Sequence, residues 1–315
     1  MKVLVAVDSI TTLDTLLNEI SARSWPAGTE AQLLSIVPDR DVPLQTWRDE
    51  GYGVSGIRRE MDRRGEQISL LAVERLKRMG ISARVVIMRG DPAFLIPFAA
   101  RKWSADLILL RAHDRKDLRG RLLGSVAKSV IKSAPCSVEL VRTRDKANAT
   151  ARDFRVLLAT DGSVSSIAAL DAVAETSWPE DTEVRVVSVV NPMVYSLEEL
   201  GLTGGTGTDH AHRAIGKAVQ ALSGAAVKIS AEVIAGSPAR QLIARAREWE
   251  ADLIVLGTNE RRGLSRLLFG STSAAVAKRA DCSVRVIRGK HVSQAGDVLE
   301  ARSSADSLPE RRKAA

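Results

Sequence analysis

Residues 1–142 and 154–288 carry the same pattern twice, and this repeat limits the folds open to the chain more than any other feature. The run Val3-Leu4-Val5-Ala6-Val7-Asp8-Ser9 returns as Val156-Leu157-Leu158-Ala159-Thr160-Asp161-Gly162-Ser163. Ser24-Trp25-Pro26 returns as Ser177-Trp178-Pro179, and Trp103-Ser104-Ala105-Asp106-Leu107-Ile108 as Trp249-Glu250-Ala251-Asp252-Leu253-Ile254. Leu122-Leu123-Gly124-Ser125 is matched by Leu267-Leu268-Phe269-Gly270-Ser271, and Ala134-Pro135-Cys136-Ser137-Val138 by Ala280-Asp281-Cys282-Ser283-Val284. Early pairs are 153 residues apart and late pairs 146, so the first copy holds a net seven-residue excess between Pro38 and Arg84. Two copies of this length are too few and too long for a solenoid; they describe a duplicated globular domain.

At 315 residues the chain suits two domains, each long enough to bury a core. With 3% aromatic residues, those cores must be built from Val, Leu, Ile and Ala. No apolar run reaches the roughly 18 residues of a membrane span. The first strand pattern starts at Lys2, which leaves no room for a signal peptide and points to the cytoplasm. Cys136 and Cys282 stand at equivalent places, at the start of each copy's last strand, and read as small buried apolar groups rather than a disulfide or metal site. The net charge of +8 lacks the basic stripe interleaved with aromatics that nucleic-acid binding uses. Part of it is local: Arg115, Lys116, Arg119 and Arg121 cluster in one copy, Arg261, Arg262 and Arg266 in the other.

Each copy alternates short β-branched runs with helical patterns, which indicates parallel βαβ units. Strands are expected near 2–7, 31–37, 83–88, 106–110 and 136–142, then near 154–160, 183–190, 228–234, 252–257 and 282–288. Their nearly continuous apolar character fits strands covered on both faces. Helices are expected at 66–79, 93–103, 124–133, 166–177, 211–223 and 238–249. Asp91-Pro92 and Ser237-Pro238 each set a cap residue before a proline at the first helical position. Residues 38–60 and 191–210 read as variable loops. The domains are thus 1–143 and 153–290, joined by a polar linker at 144–152 and followed by a charged, disordered tail at 291–315.

Gly51-Tyr52-Gly53-Val54-Ser55-Gly56 matches a dinucleotide fingerprint by letters, but no buried strand precedes it and the second copy lacks it, so it reads as a flexible loop. His210 and His212, after Asp209, sit at a loop-to-helix junction and read as a surface cap rather than a metal site. His113 reads as an exposed loop residue. The segment after the fourth strand of the second copy, Gly257 to Ser273, is the better candidate. Ligands in parallel sheets bind beyond the strands' carboxyl ends, near the point where strand order reverses. Gly257 could admit a phosphate close to backbone there. Gly270, followed by Ser271, Thr272 and Ser273, opens a helix whose free amides and dipole favour an anion. A helix N-cap beside solvated arginines is the plainer reading of the same residues.

With these residues in place, the chain resembles a tandem universal stress protein. That family carries a strand ending in aspartate and a motif G-x2-G-x9-G-[ST] after the fourth strand, and both copies resemble it over essentially their whole length. The resemblance implies an α/β fold of two doubly wound five-stranded parallel sheets with strand order 3-2-1-4-5. It also implies an internal pseudo-dimer through the last strands, Cys136–Arg142 and Cys282–Arg288, with a homodimer of whole chains compatible with it. It places an adenine nucleotide, ATP with or without Mg2+, on Asp161, Val189, Gly257, Gly270, Ser271 and Thr272. The first-copy counterparts are Asp8, Ile36, Gly124 and Ser125. The copies depart from the motif: Glu260 replaces its second glycine in one, and Arg111 and Asp114 replace both early glycines in the other. The second copy is therefore the expected site. The expected function is a regulatory or sensor protein of the stress response rather than an enzyme, because no base, lysine or metal set for turnover is evident. A protein-interaction module of the same fold without nucleotide is the alternative.

Overall fold

The computed structural model describes residues 1–37, 54–112, 115–117, 120–142, 153–200, 206–258 and 270–289. In the first half run β1 (Lys2–Val7), α1 (Ile10–Ser21), β2 (Glu30–Val37), α2 (Val54–Arg78), β3 (Ser82–Arg89), α3 (Pro92–Trp103) and β4 (Leu107–Arg111). A two-stranded antiparallel ribbon, β5 (Arg115–Asp117) and β6 (Gly120–Leu122), precedes α4 (Ser125–Ser133) and β7 (Ser137–Val141). The second half contains β8 (Arg155–Ala159), α5 (Val164–Ala174), β9 (Glu183–Val190), α6 (Pro192–Glu199), α7 (Thr206–Leu222) and β10 (Lys228–Ala235). It closes with α8 (Pro238–Glu248), β11 (Leu253–Gly257), α9 (Ser271–Arg279) and β12 (Ser283–Ile287).

Ten strands form one sheet in the order β10-β9-β8-β11-β12-β7-β4-β1-β2-β3. Each half is parallel with order 3-2-1-4-5, and the halves meet where β12 runs antiparallel to β7. Each last strand would otherwise be an exposed edge; pairing them satisfies both. The pleat splits the core. Leu4 and Ala6 face one cluster that runs without a break through both halves, taking in Val138, Leu140, Val284 and Val286. Val3, Val5 and Val7 face the opposite side, where each half keeps a cluster of its own.

The repeated motifs have repeated structural tasks. The indoles of Trp25 and Trp178 each donate to a carbonyl near the end of the preceding helix, Ile20 and Val173, at 2.8 Å in both halves. Asp106 and Asp252 each accept the backbone amide of the residue opening the neighbouring first strand, Lys2 and Arg155. The guanidiniums of Arg84 and Arg185 lie 5.0 and 4.4 Å from the ring centres of Trp103 and Trp249, a cation–π geometry. Asp91 caps α3 by accepting from the Ala93 amide, with Pro92 in the first turn.

Two expectations are corrected. Residues 191–210 are largely helical rather than loop: α6 starts at Pro192 behind Asn191, whose side chain accepts from the Met193 amide, and α7 starts at Thr206. Likewise α2 begins at Val54, so the end of the fingerprint-like run, Val54-Ser55-Gly56, is helix and only Gly51–Gly53 lie outside the described residues. The seven-residue excess falls where the repeat required it, since 38–81 joins β2 to β3 and the shorter 191–227 joins β9 to β10. The linker and the tail lie outside the described residues.

Both cysteines are free thiols, Cys282 buried and Cys136 partly so. Burial, with the nearby Asp106 carboxylate and against Arg288, pushes the Cys136 thiol up to about 12. A thiol in that state carries almost no thiolate near neutrality. Native protein should therefore react with a thiol reagent at least tenfold more slowly than denatured protein at pH 7.5. Equal rates in the two states would contradict the burial.

Candidate functional site

Strand order reverses between β8 and β11, and beyond their carboxyl ends lies a cleft of about 480 Å³. Asp161, Val189, Gly257, Gly270, Ser271 and Thr272 all line it, so the second-copy residues singled out from sequence share one cavity. Its lining combines apolar side chains, Ala159, Val187, Val189, Leu242, Leu256 and Pro238, with hydroxyls, Thr160, Ser165, Ser166, Ser271, Thr272 and Ser273. Helices α5, α8 and α9 each bring their first residues to the cleft, and first-turn amides have no carbonyl one turn back to bond. Three helix starts give the cleft a positive electrostatic bias.

Asp161 stands at the mouth. Its carboxylate accepts from the Ser163 amide at 3.0 Å and the Ser163 hydroxyl at 2.5 Å. Partial burial favours the neutral acid, but these hydrogen bonds, with one from Ser166, outweigh it and hold the carboxyl below the ordinary aspartate range. The next residue, Gly162, has φ +74°, and a Cβ there would sit 2.9 Å from the His210 ring. His210 lies within α7 and its Nε2 is 2.9 Å from the Asp161 carbonyl oxygen, so it ties α7 to the cleft rather than capping a helix. Among the described residues no group of three or more His, Cys, Asp or Glu side chains could hold a metal ion.

Gly257 has a different reason to be glycine from the one its sequence position suggested. A Cβ on it would lie 2.1 Å from the Ser165 carbonyl oxygen, so the missing side chain admits the first turn of α5. Deeper in, the Thr258 hydroxyl accepts from the Gly270 amide at 3.3 Å, and the Ser273 hydroxyl is 3.5 Å away, which fixes the start of α9 against the end of β11.

The first half lacks this equipment. Thr160, Thr258 and Ser273 correspond to Val7, Ala112 and Ala127, and Gly257 to Arg111. Asp8 is exposed just after β1, while Gly124 is the N-cap of α4 and Ser125 its first residue. Ile36 is buried in β2, and its carbonyl accepts from Arg64 at 3.4 Å, so a group of the chain itself uses that acceptor. A second cavity, lined by Met61, Asp62, Gly65, Glu66, Ser69, Val85 and Ile87, contains none of these four residues. Sequence reading named Ser271, Thr272 and Ser273 but missed the other hydroxyls of the cleft, Thr160 above all. Their signal was hydroxyl residues in one copy set against apolar residues in the other. Asp114, His113, Glu260, Arg261, Arg262 and Arg266 lie outside the described residues.

The family model described as the universal stress protein family matches residues 1–142 and again 154–288. The chain belongs to the universal stress protein family. A universal stress protein of Mycobacterium tuberculosis is 28% identical over 296 residues, covering 88% of this chain and 95% of its own. Another, from Methanocaldococcus jannaschii, is 32% identical over 138 residues, 42% of this chain and 81% of its own. A universal stress protein from Archaeoglobus fulgidus has a solved structure with a TM-score of 0.62 at 20% identity, covering 92% of this chain and 97% of that one. At that identity it supports the fold alone. Among the described residues, no helix of this tandem family member is long and apolar enough to cross a membrane.

Proposed function

We propose that this universal stress protein binds ATP or a related adenine nucleotide in the cleft of its second half and acts as a regulatory or sensor protein of the stress response. One observation carries the reading: apolar side chains, hydroxyls and three helix starts line one cleft. A purine is a flat apolar body with polar edges, and Val187, Val189 and Leu242 offer it such a surface. The ionised Asp161 accepts hydrogen bonds and suits ribose hydroxyls. Phosphates suit the opening of α9, where Gly270, Ser271 and Thr272 present amides and hydroxyls. Among the described residues that line the cleft there is no lysine or histidine, which favours occupancy over hydrolysis as the signal.

Calorimetric titration of the full chain with Mg-ATP tests this, after any co-purified nucleotide has been removed. One site per chain is expected. The backbone at Gly270 (φ −57°, ψ 143°) is one that any residue adopts, so Gly270→Val alters space rather than fold. That variant should lose more than about tenfold in affinity, about 1.4 kcal/mol, while Gly124→Val leaves binding unchanged. Equal losses from both variants would contradict the asymmetry between the halves. A second reading, a protein-interaction module, is favoured by Phe94 and Phe98. They stack on α3 at 6.1 Å with 67% and 42% of their surface exposed. Absence of heat with every adenine nucleotide would move the function there.

A further inference from the structure

The junction between the halves has a pseudo-two-fold axis, and one charged pair lies on it. In the antiparallel register Val284 faces Leu140, Arg285 faces Glu139 and Val286 faces Val138. Equivalent residues of the late repeat are 146 apart, so Glu139 and Arg285 are the same position in the two copies. A residue on such an axis meets its own counterpart. Here the counterpart has the opposite charge.

Most of the remaining junction is symmetric. The Arg142 amide donates to the Ser283 hydroxyl at 3.1 Å, and the Arg288 amide to the Ser137 hydroxyl at 3.2 Å. The Arg142 guanidinium donates to the Ala277 carbonyl near the end of α9, and that of Arg288 to the Ile131 and Lys132 carbonyls near the end of α4. These clamps are two copies of one contact. They would form equally well between two first halves or two second halves, so they do not choose a partner. The apolar residues at the junction differ by modest steps, Leu140 against Val286 and Ile131 against Ala277.

The axial pair can choose a partner. Glu139 is fully buried, and its carboxylate accepts from Arg285 Nε at 2.6 Å and from both terminal nitrogens of Arg23. Arg23 also donates to Glu19 at 2.9 Å, and its repeat counterpart is the neutral Thr176. Two second halves would bury two Arg285 guanidiniums on the axis with no Glu139 between them. Two first halves would set two Glu139 carboxylates face to face, each keeping only the Arg23 of its own half. The heavier penalty falls on pairing second halves. Because every first–first pair leaves second halves over, that penalty governs both.

We propose that Glu139 and Arg285, with Arg23 behind them, make the two halves selective for one another, so that the last-strand edge of this chain accepts the unlike half and rejects a copy of itself. The tandem arrangement then places the unlike half within the same chain, and the charges guard against like-with-like pairing between neighbouring chains. Buried charges of this kind serve partner choice when like pairing leaves a charge unmatched.

The test uses the full chain with a protease site inserted between residues 142 and 153. It is cut after folding, then unfolded and refolded so that pairing is chosen afresh. Native mass spectrometry separates first–first, first–second and second–second pairs by mass. The expected result is a large excess of first–second pairs over the statistical 1:2:1 distribution, with second–second pairs absent. A statistical distribution, or halves that do not re-pair, would overturn the proposal. The same cut chain carrying Arg23→Leu, Glu139→Leu and Arg285→Leu should drift toward 1:2:1; an unchanged preference there would also overturn it. Should the triple variant fail to refold, the wild-type distribution decides alone.

Discussion

Gly257→Ala is expected to destabilise the second half by about 3 kcal/mol or more, although alanine in a strand ordinarily gains over glycine. The added methyl would sit 2.1 Å from the Ser165 oxygen and 2.3 Å from its carbonyl carbon. Those atoms are backbone, held by the first turn of α5 behind its Ser163 cap, so no rotamer change relieves the overlap. Either α5 withdraws or the end of β11 bends, and overpacking that moves backbone lies at the upper end of the usual 1–3 kcal/mol range or beyond it. The same withdrawal would displace Ser165 and Ser166 from the cleft, so ligand affinity should fall together with stability. Denaturant unfolding of the variant beside Arg111→Ala, its first-half counterpart, isolates the effect. The Arg111 variant should stay close to wild type. A Gly257→Ala protein of unchanged midpoint would show that α5 is not held where the overlap requires.

How much of this was legible beforehand depended on the range over which each signal acts. Strand positions followed from local apolar runs, and the fold from their repetition with helices between, so all ten strands of the main sheet lie within a residue or two of their expected bounds. Asp91-Pro92 marks the start of α3 openly, while Asn191-Pro192, the same arrangement, is obscured by the glycine-rich run that follows it and suggests a loop. Glycines at 51, 53 and 56 hid the start of α2 in the same way. Within the cleft, Asp161 and Gly270 were legible because the family motif names them. Thr160 and Ser166 were not, since one hydroxyl in or beside a strand or helix is unremarkable until the fold brings several to one cleft. Gly257 lines the cleft, but its closeness to Ser165, which occupies the space a side chain would take, is visible only in the fold. Glu139 was the least visible. It is one acid in an apolar strand, and its partner Arg285 is 146 residues away. The clue was opposite charges at one position of the repeat, Ser137-Val138-Glu139-Leu140-Val141 against Ser283-Val284-Arg285-Val286-Ile287.

Glu139→Gln should cost about 3–5 kcal/mol at neutral pH, because it keeps the shape of the side chain and removes the one charge that holds two buried guanidiniums. The acid dependence of that loss is the sharper test. Burial alone would raise the Glu139 carboxyl; Arg23 first and Arg285 second reverse this and pull it down to about 2, from 4.5 for an unburdened glutamate. A group whose value is lower in the folded state stabilises fully above its unfolded value, and the contribution disappears as pH falls through the folded one. The wild type should therefore hold its advantage over Glu139→Gln from neutrality to about pH 4.5 and lose it between 4.5 and 2, a change on the order of 3 kcal/mol. Other carboxylates titrate in the same window, but they do so in both proteins, so the difference between the two curves isolates this one. Urea unfolding at half-unit steps of pH would measure it. Parallel curves across the window would mean that Arg23 and Arg285 do not hold the Glu139 carboxyl below its ordinary value. The junction would then rest on its apolar face and its arginine clamps alone. Convergence of the curves below pH 4.5 would instead identify the axial carboxylate as the charge on which the closed pair depends.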